Sequence, residues 1–264
     1  AARARYRRAV ELEPRNPTAR QALERLAAAA ERQAFVDALS AGHRALAAGD
    51  YAAARDAFER AAELEPGSPQ SADGLAQAEA GLRRAAIDVA RRRALAAEAA
   101  EDWPQAASAY GSVLALDPTV AFAQEGRARS LARAELDRKL DFHLQNPERL
   151  ADDAVLAEAG ALVAEARRIP HAGPRLAQQI RRLDEALALY RTPIAVDLVS
   201  DELTEVVIYR VGRLGRFRHR RLELRPGTYT VVGSRRGFRD VRLTLRLTPG
   251  EAPGVLAVRC EEAL

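Results

Sequence analysis

The strongest constraint on this chain is an internal repeat whose members end on proline. Ala1–Pro17, Ala53–Pro69 and Gln105–Ala121 align without gaps and place Pro14, Pro66 and Pro118 in one column, at two intervals of 52 residues. The same offset stacks Ala2 with Ala54 and Ala106, and Tyr6 with Phe58 and Tyr110. It also stacks Ala9 with Ala61 and Val113, and Leu12 with Leu64 and Leu116. Upstream, Gly42 shares a column with Ala94, and Tyr51 with Trp103. Within a unit the order is small, aromatic four later, small three later, which places the three on one helix face. Small residues let two helices approach while the aromatic fills the groove between them. Proline lacks the N–H a helix interior needs, so it marks the stop. Gly49-Asp50 ends one helix and caps the next, and Asp102 caps another with Pro104 in its first turn.

This pattern resembles the tetratricopeptide repeat, an antiparallel helix pair with small residues at two crossing points. Gly42 and Ala94 fit its first small position, Ala54 and Ala106 its second, and the three prolines its closing one. The period is 52 rather than about 34. The 18 extra residues are five turns at 3.6 residues each, so they lengthen a helix without rotating its apolar face. They fall on Pro17–Ala34 and Pro69–Ala86, after the capping residues Asn16 and Ser68. The reading predicts long helices over about 18–48 and 70–100, each roughly 45 Å, alternating with shorter ones at 51–65 and 103–116. Pro170 continues the interval into a degenerate fourth unit, in which Ala157, Ala161 and Ala164 keep the small-residue spacing. A last helix over 174–190 closes the stack, as an atypical terminal repeat should.

Alanine is abundant to about residue 190 and sparse after it. Beyond Thr192-Pro193 come runs rich in Val, Ile, Leu and Thr separated by turn residues, predicting strands at Ile194–Ser200, Glu205–Arg210, Phe217–Leu224, Thr228–Gly233, Val241–Leu247 and Gly254–Arg259. Alternation is clearest in the fifth, where Val241, Leu243, Leu245 and Leu247 oppose Arg242, Thr244 and Arg246. One polar and one apolar face argue for a small antiparallel β-sandwich. The fold expected is therefore α+β and multidomain. An α-solenoid of elongated tetratricopeptide-like helix pairs occupies residues 1–191, and an antiparallel β-sandwich occupies 192–264.

The stretch Leu224–Glu251 is similar to the PEGA domain, with Pro226-Gly227, Gly237-Phe238 and Pro249-Gly250 at that family's turn positions and without its Pro-Glu-Gly-Ala string. The resemblance covers about Ile194–Arg259. It implies a bacterial cell-envelope setting, periplasmic or otherwise extracytoplasmic, beside helical repeats in a membrane-associated protein. The sequence has no Met, so residue 1 is read as other than the natural start, with room for an upstream anchor.

Composition excludes several classes. No apolar run approaches the ~18–20 residues of a bilayer span. A single cysteine, Cys260, permits neither an intrachain disulfide nor a cysteine zinc site. His43, His143, His171 and His219 are scattered without metal-ligand spacing, and no nucleophile elbow or phosphate-binding loop occurs. The expectation is no catalytic residues, no metal, no cofactor and no enzyme activity. Trp103 is read as a packing residue and Cys260 as a small core residue. Gly212-Arg213-Leu214-Gly215 is read as a β-turn between strands rather than a nucleic-acid clamp.

Charge is uneven. The chain carries 41 basic and 37 acidic residues, and only Lys139 among the basic ones is lysine. Residues 1–191 balance, whereas Tyr209–Arg246 holds 12 Arg against Glu223 and Asp240. Such a cluster attracts anions. Two readings stand: a solvent face docked on acidic helices, or a partner-binding surface. For the second, Arg213, Arg216, Arg218, Arg220, Arg235, Arg236 and Arg239 belong to two glycine-containing turns expected at one end of the sandwich. Arg242 and Arg246 extend the charge along an outward strand face. The ligand would be an acidic protein surface, an anionic glycan or phospholipid headgroups, held by forked guanidinium bonds.

The function expected is a non-enzymatic scaffold or adaptor that binds a protein partner or an extended peptide segment in a concave helical groove. Val36, Leu39, His43 and Leu46 line it in one unit, and Asp88, Arg91, Leu95 and Glu98 in the next. His43 and Leu95 occupy the position where tetratricopeptide clamps for a C-terminal carboxylate carry Asn, so that capture is not expected. The alternative is a nucleic-acid or other polyanion binder acting through the Arg-rich β domain.

Overall fold

The computed structural model describes residues 2–170 and 172–264. It is an α+β chain, 62% helical, with the helices first and small sheets after them. Helices α1 (Ala2–Leu12), α2 (Pro17–Ala47), α3 (Tyr51–Leu64), α4 (Pro69–Ala99), α5 (Trp103–Leu116) and α6 (Ala121–Gln145) run in succession. A 3-10 turn at Pro147–Ala151 leads to α7 (Asp153–Ala166) and α8 (Pro174–Arg191). The long helices α2 and α4 have 31 residues each, and α3 and α5 have 14. Local chemistry sets these boundaries. The Asn16 side chain accepts the Ala19 N–H, Asp50 accepts that of Ala53, and Asp152 accepts those of Ala154 and Val155. Gly49 and Gly67 take positive φ after helix ends.

The chain forms two compact units, residues 1–96 with 105–127, and residues 97–104 with 128–264. In the first, Phe58 of α3 is fully buried with Ala54, against Ala78 of α4 and Leu39 and Leu46 of α2. Its ring lies where Gly42 and Gly74 bear no side chain. A Cβ added at Gly42 would stand 2.7 Å from the ring, and one at Gly74 2.4 Å. Tyr110 meets Gly126 in the same way, at 2.4 Å, within a cluster of Ala90, Ala94, Val113 and Ala123. The small and aromatic column residues of the second and third members, Ala54, Phe58 and Ala61 and then Ala106, Tyr110 and Val113, are thus buried, whereas Ala2 and Tyr6 of the first member are exposed, as are Leu12, Leu64 and Leu116.

In the second unit, Leu136, Leu140, Leu150, Leu156, Leu162, Val163, Leu176, Leu183 and Leu187 make the helical core. This corrects the reading of the degenerate fourth unit. Ala157, Ala161 and Ala164 face solvent, because α7 turns its bulkier Leu156, Leu162 and Val163 inward. Pro170 follows α7, and His171 lies outside the described residues.

Strands β1 (Ile194–Val199), β2 (Glu205–Ile208), β3 (Gly212–Gly215), β4 (His219–Leu224), β5 (Gly227–Ser234), β6 (Val241–Leu247) and β7 (Leu256–Ala257) follow. They form a three-stranded sheet, β4-β1-β7, and a four-stranded one, β3-β2-β5-β6. Val196, Leu198 and Leu224 of the first sheet share one core with Val206, Ile208, Leu214, Val231, Leu245 and Leu247 of the second. The Tyr229 hydroxyl donates to the Arg225 carbonyl four residues upstream, a corner device of β-sandwiches.

Three expectations need correction. β7 pairs parallel to β1, so the smaller sheet is mixed rather than antiparallel. Gly212–Gly215 is a strand paired with β2, not a turn. The reversal falls earlier, where Arg210 adopts positive φ and the Val211 N–H bonds to the Ile208 carbonyl. Finally, β4 begins at His219, because Phe217 leaves the ladder to pack on the core.

Candidate interaction surfaces

The predicted helical groove residues separate into two groups. Leu39 and Leu46 pack on the Phe58 cluster, and the His43 imidazole stands edge-on to the Phe58 ring at 5.1 Å. The Arg91 guanidinium lies 4.9 Å over the Phe122 ring, and Glu98 accepts a 2.8 Å ion pair from Arg129. These five are engaged within their own unit. Val36, Asp88 and Leu95 remain outward, with Val36 47% and Leu95 49% exposed. Val89, beside Asp88, is exposed as well.

The arginine cluster is partly neutralised by carboxylates from outside its own stretch of sequence. Arg213 pairs with Glu205 at 2.7 Å, Arg235 with Asp201 at 3.4 Å and Arg239 with Glu262 at 3.3 Å. Arg235 also stacks 4.0 Å over the Phe238 ring. Burial opposes the Asp201 charge. The N–H groups of Thr204 and Leu203, bonded to one carboxylate oxygen, outweigh it and hold the acid below its ordinary range. Arg220 is exposed, yet its guanidinium has a partner within the domain. In β4 it pairs with Leu198 of β1 and donates to the Leu214 carbonyl of β3, tying the two sheets together. Arg242 lies 5.9 Å over the Tyr209 ring.

Strand register places the two arginine loops at one end of the four-stranded sheet, since Gly215 and Gly233 both pair with Val206. Arg216 and Arg218 follow the first, and Arg235, Arg236 and Arg239 the second. Among the described residues, Arg216, Arg218 and Arg236 make no ion pair. All three are exposed, as are Arg242 and Arg246 on β6.

The second unit also contains a buried polar network that sequence reasoning missed. Glu101 is 5% exposed, has φ 53° and accepts the N–H groups of Arg175 and Leu176 at 2.7 and 3.2 Å, which caps α8. Gly173 leaves room for this carboxylate, since a Cβ there would fall 2.2 Å from it. Arg133, 7% exposed, pairs with Glu101 at 3.8 Å and lies 4.7 Å over the Trp103 ring. Arg175 pairs with Asp137 at 3.0 Å, and burial pushes the Asp137 carboxyl above its ordinary value despite that cation. Part of this was traceable. Tyr51 lies on Gly81, and both stand 52 residues before Trp103 and Arg133. Gly74 and Gly126 also stand 52 apart, opposite the aromatic column. Nothing local in the sequence marks Glu101, whose partners lie 74 and 75 residues away.

Among the described residues no group of three or more His, Cys, Asp or Glu could hold a metal ion, and no helix is long and apolar enough to cross a membrane. His143 is buried beside Phe142, and His219 pairs with Asp197 at 3.0 Å. Cys260 is buried, and its thiol donates to the Gly233 carbonyl at 3.3 Å. No protein-family model, no curated protein and no solved structure matches the chain.

Proposed function

We propose that this chain is a non-enzymatic protein-interaction scaffold, with elongated tetratricopeptide-like repeats followed by a PEGA-like β domain, in a bacterial cell-envelope complex. The observation that carries the reading is the paired use of small residues against buried rings. Phe58 sits between Gly42 and Gly74, and Tyr110 against Gly126, 52 residues later. Crossings of this kind spend the apolar residues on helix–helix contact, and repeat stacks built from them offer extended side faces to partners. Val36, Val89 and Leu95 are apolar side chains left outward on the two long helices.

The test is affinity capture from detergent-solubilised bacterial envelope extract, using the full chain and the variant Val36→Glu with Leu95→Glu. Both substitutions fall on exposed positions, so the circular dichroism spectrum should not change. A partner retained by the wild type and lost by the variant supports the scaffold reading. Equal recovery by a folded variant rejects the helical faces as the binding surface.

A second reading, polyanion binding, is favoured by Arg216, Arg218 and Arg236, exposed at one end of the sheet and without ion pairs among the described residues. Retention on heparin that falls steeply with salt, and that Arg216→Ala, Arg218→Ala and Arg236→Ala together reduce, supports it. A triple variant that elutes with the wild type rejects it.

A further inference from the structure

Strand β6 is the end strand of the four-stranded sheet, paired with β5 on one side only. The direction of its main-chain groups follows from one bond. The Tyr209 N–H donates to the Thr230 carbonyl, so Thr230 and its alternate neighbours in β5 turn their peptide groups toward β2. Tyr229, Val231 and Gly233 therefore turn theirs toward β6, because antiparallel strands alternate. Through the register, their partners are Leu245, Leu243 and Val241. The N–H and C=O groups of Arg242, Thr244 and Arg246 consequently point away from the sheet, at an open edge. Among the described residues no backbone bond reaches that side. The carboxy-terminal segment bonds to Gly237 and Arg239, before the strand begins.

The side chains along this edge are sorted by face. Arg242, Thr244 and Arg246 are exposed on the outer face. Val241 and Leu243 face the core but are only half-buried, whereas Leu245 and Leu247 are buried. A strand added here would place alternate residues beside the two arginines, and the intervening residues over the half-open apolar rim.

The edge is unsuited to a second copy of itself. An antiparallel pair of β6 strands centred on Thr244 would set Arg242 of each copy opposite Arg246 of the other, and like charges directly opposed destabilise a strand pair. The same arginines that repel a self-pair would attract carboxylates. We propose that β6 receives an extended acidic segment of a partner protein by strand addition. Its pattern would be acidic, apolar, small polar, apolar, acidic, antiparallel to Arg242–Arg246. Main-chain bonds to Arg242, Thr244 and Arg246 provide the attachment, and the guanidinium pairs set specificity. This site is separate from the helical faces and does not depend on them.

The test uses the full chain and a fluorescein-labelled nonapeptide in which Glu and Val alternate around a central Thr, with a Lys-for-Glu counterpart, read by fluorescence anisotropy. The wild type should bind the acidic peptide at least about tenfold more tightly than the basic one. Arg242→Glu with Arg246→Glu should invert that preference. Thr244→Pro should abolish binding of the acidic peptide. It removes the outward N–H, a main-chain donor that β5 does not use, and proline is tolerated at such edge positions. Circular dichroism establishes that the variant is folded. Should Thr244→Pro bind as the wild type does, the edge is not used and strand addition is refuted. An unchanged preference in the charge-reversed variant refutes the arginine pairing. Concentration-dependent dimerisation by light scattering that Thr244→Pro abolishes would give the edge to a second copy, which also overturns the proposal.

Discussion

Replacing Gly74 with Ala should destabilise the protein even though alanine is the better helix former. A Cβ at this position would lie 2.4, 2.5 and 2.6 Å from three atoms of the Phe58 ring, well inside van der Waals contact. The ring cannot withdraw, since it is fully buried and the Gly42 backbone closes its other side, with an added Cβ there at 2.7 Å. Overpacking of this kind costs up to about 3 kcal/mol. The gain from replacing a helical glycine offsets about 1 kcal/mol. The expected net loss is therefore about 2 kcal/mol. With a urea slope of about 2 kcal/mol/M, the midpoint should fall by about 1 M in an unfolding curve followed by far-ultraviolet circular dichroism. Gly111→Ala is the control. It lies in α5, where the nearest atom to the new Cβ is the Arg127 Nε at 3.9 Å, so it should stabilise by about 0.5–1 kcal/mol. Adding Phe58→Leu to Gly74→Ala should recover part of the loss, as a double-mutant cycle would show. A Gly74→Ala protein as stable as the wild type would refute the claim that this ring is locked between two glycines.

Glu101→Ala should cost about 3–5 kcal/mol by thermal or urea denaturation, because it uncaps α8 and leaves the buried Arg133 guanidinium without its carboxylate; a loss under 1 kcal/mol would show the network to be incidental. Arg235→Ala should lower stability by about 1 kcal/mol through lost contact with Phe238 and Asp201, whereas Arg236→Ala should stay within about 0.5 kcal/mol, and equal effects would contradict their different surroundings. The Asp201 carboxyl is depressed in the folded state, so its charge contributes stability that is present above the unfolded value near pH 4 and lost as pH falls through the folded one. The stability gap between wild type and Asp201→Asn should accordingly be open at pH 7 and close under acid; a gap constant down to pH 2 would overturn that assignment.

The change from helix to strand after Arg191, the long and short helices, and most strands were legible in the sequence because their signals are local. Asn16 and Asp50 cap the helices they precede, prolines stop or start segments, and period-two alternation in β6 survives as inward leucines and outward arginines. Even the ring contacts were half written there, since Phe58 met Ala54 and Tyr110 met Ala94. What the sequence could not supply was the partner of each group across distance. Arg213, Arg235 and Arg239 read as one cationic cluster until Glu205, Asp201 and Glu262 came to them, and Arg220 read as part of it until the Leu214 carbonyl of the other sheet met its guanidinium. Glu101 falls between the helices predicted over 70–100 and 103–116, yet it caps α8 from 74 residues away. Periodicity and capping act within a turn or two of the chain and are therefore encoded in neighbouring residues. Charge neutralisation, strand order and the open edge of β6 depend on which segments come together, and only the tertiary structure decided that.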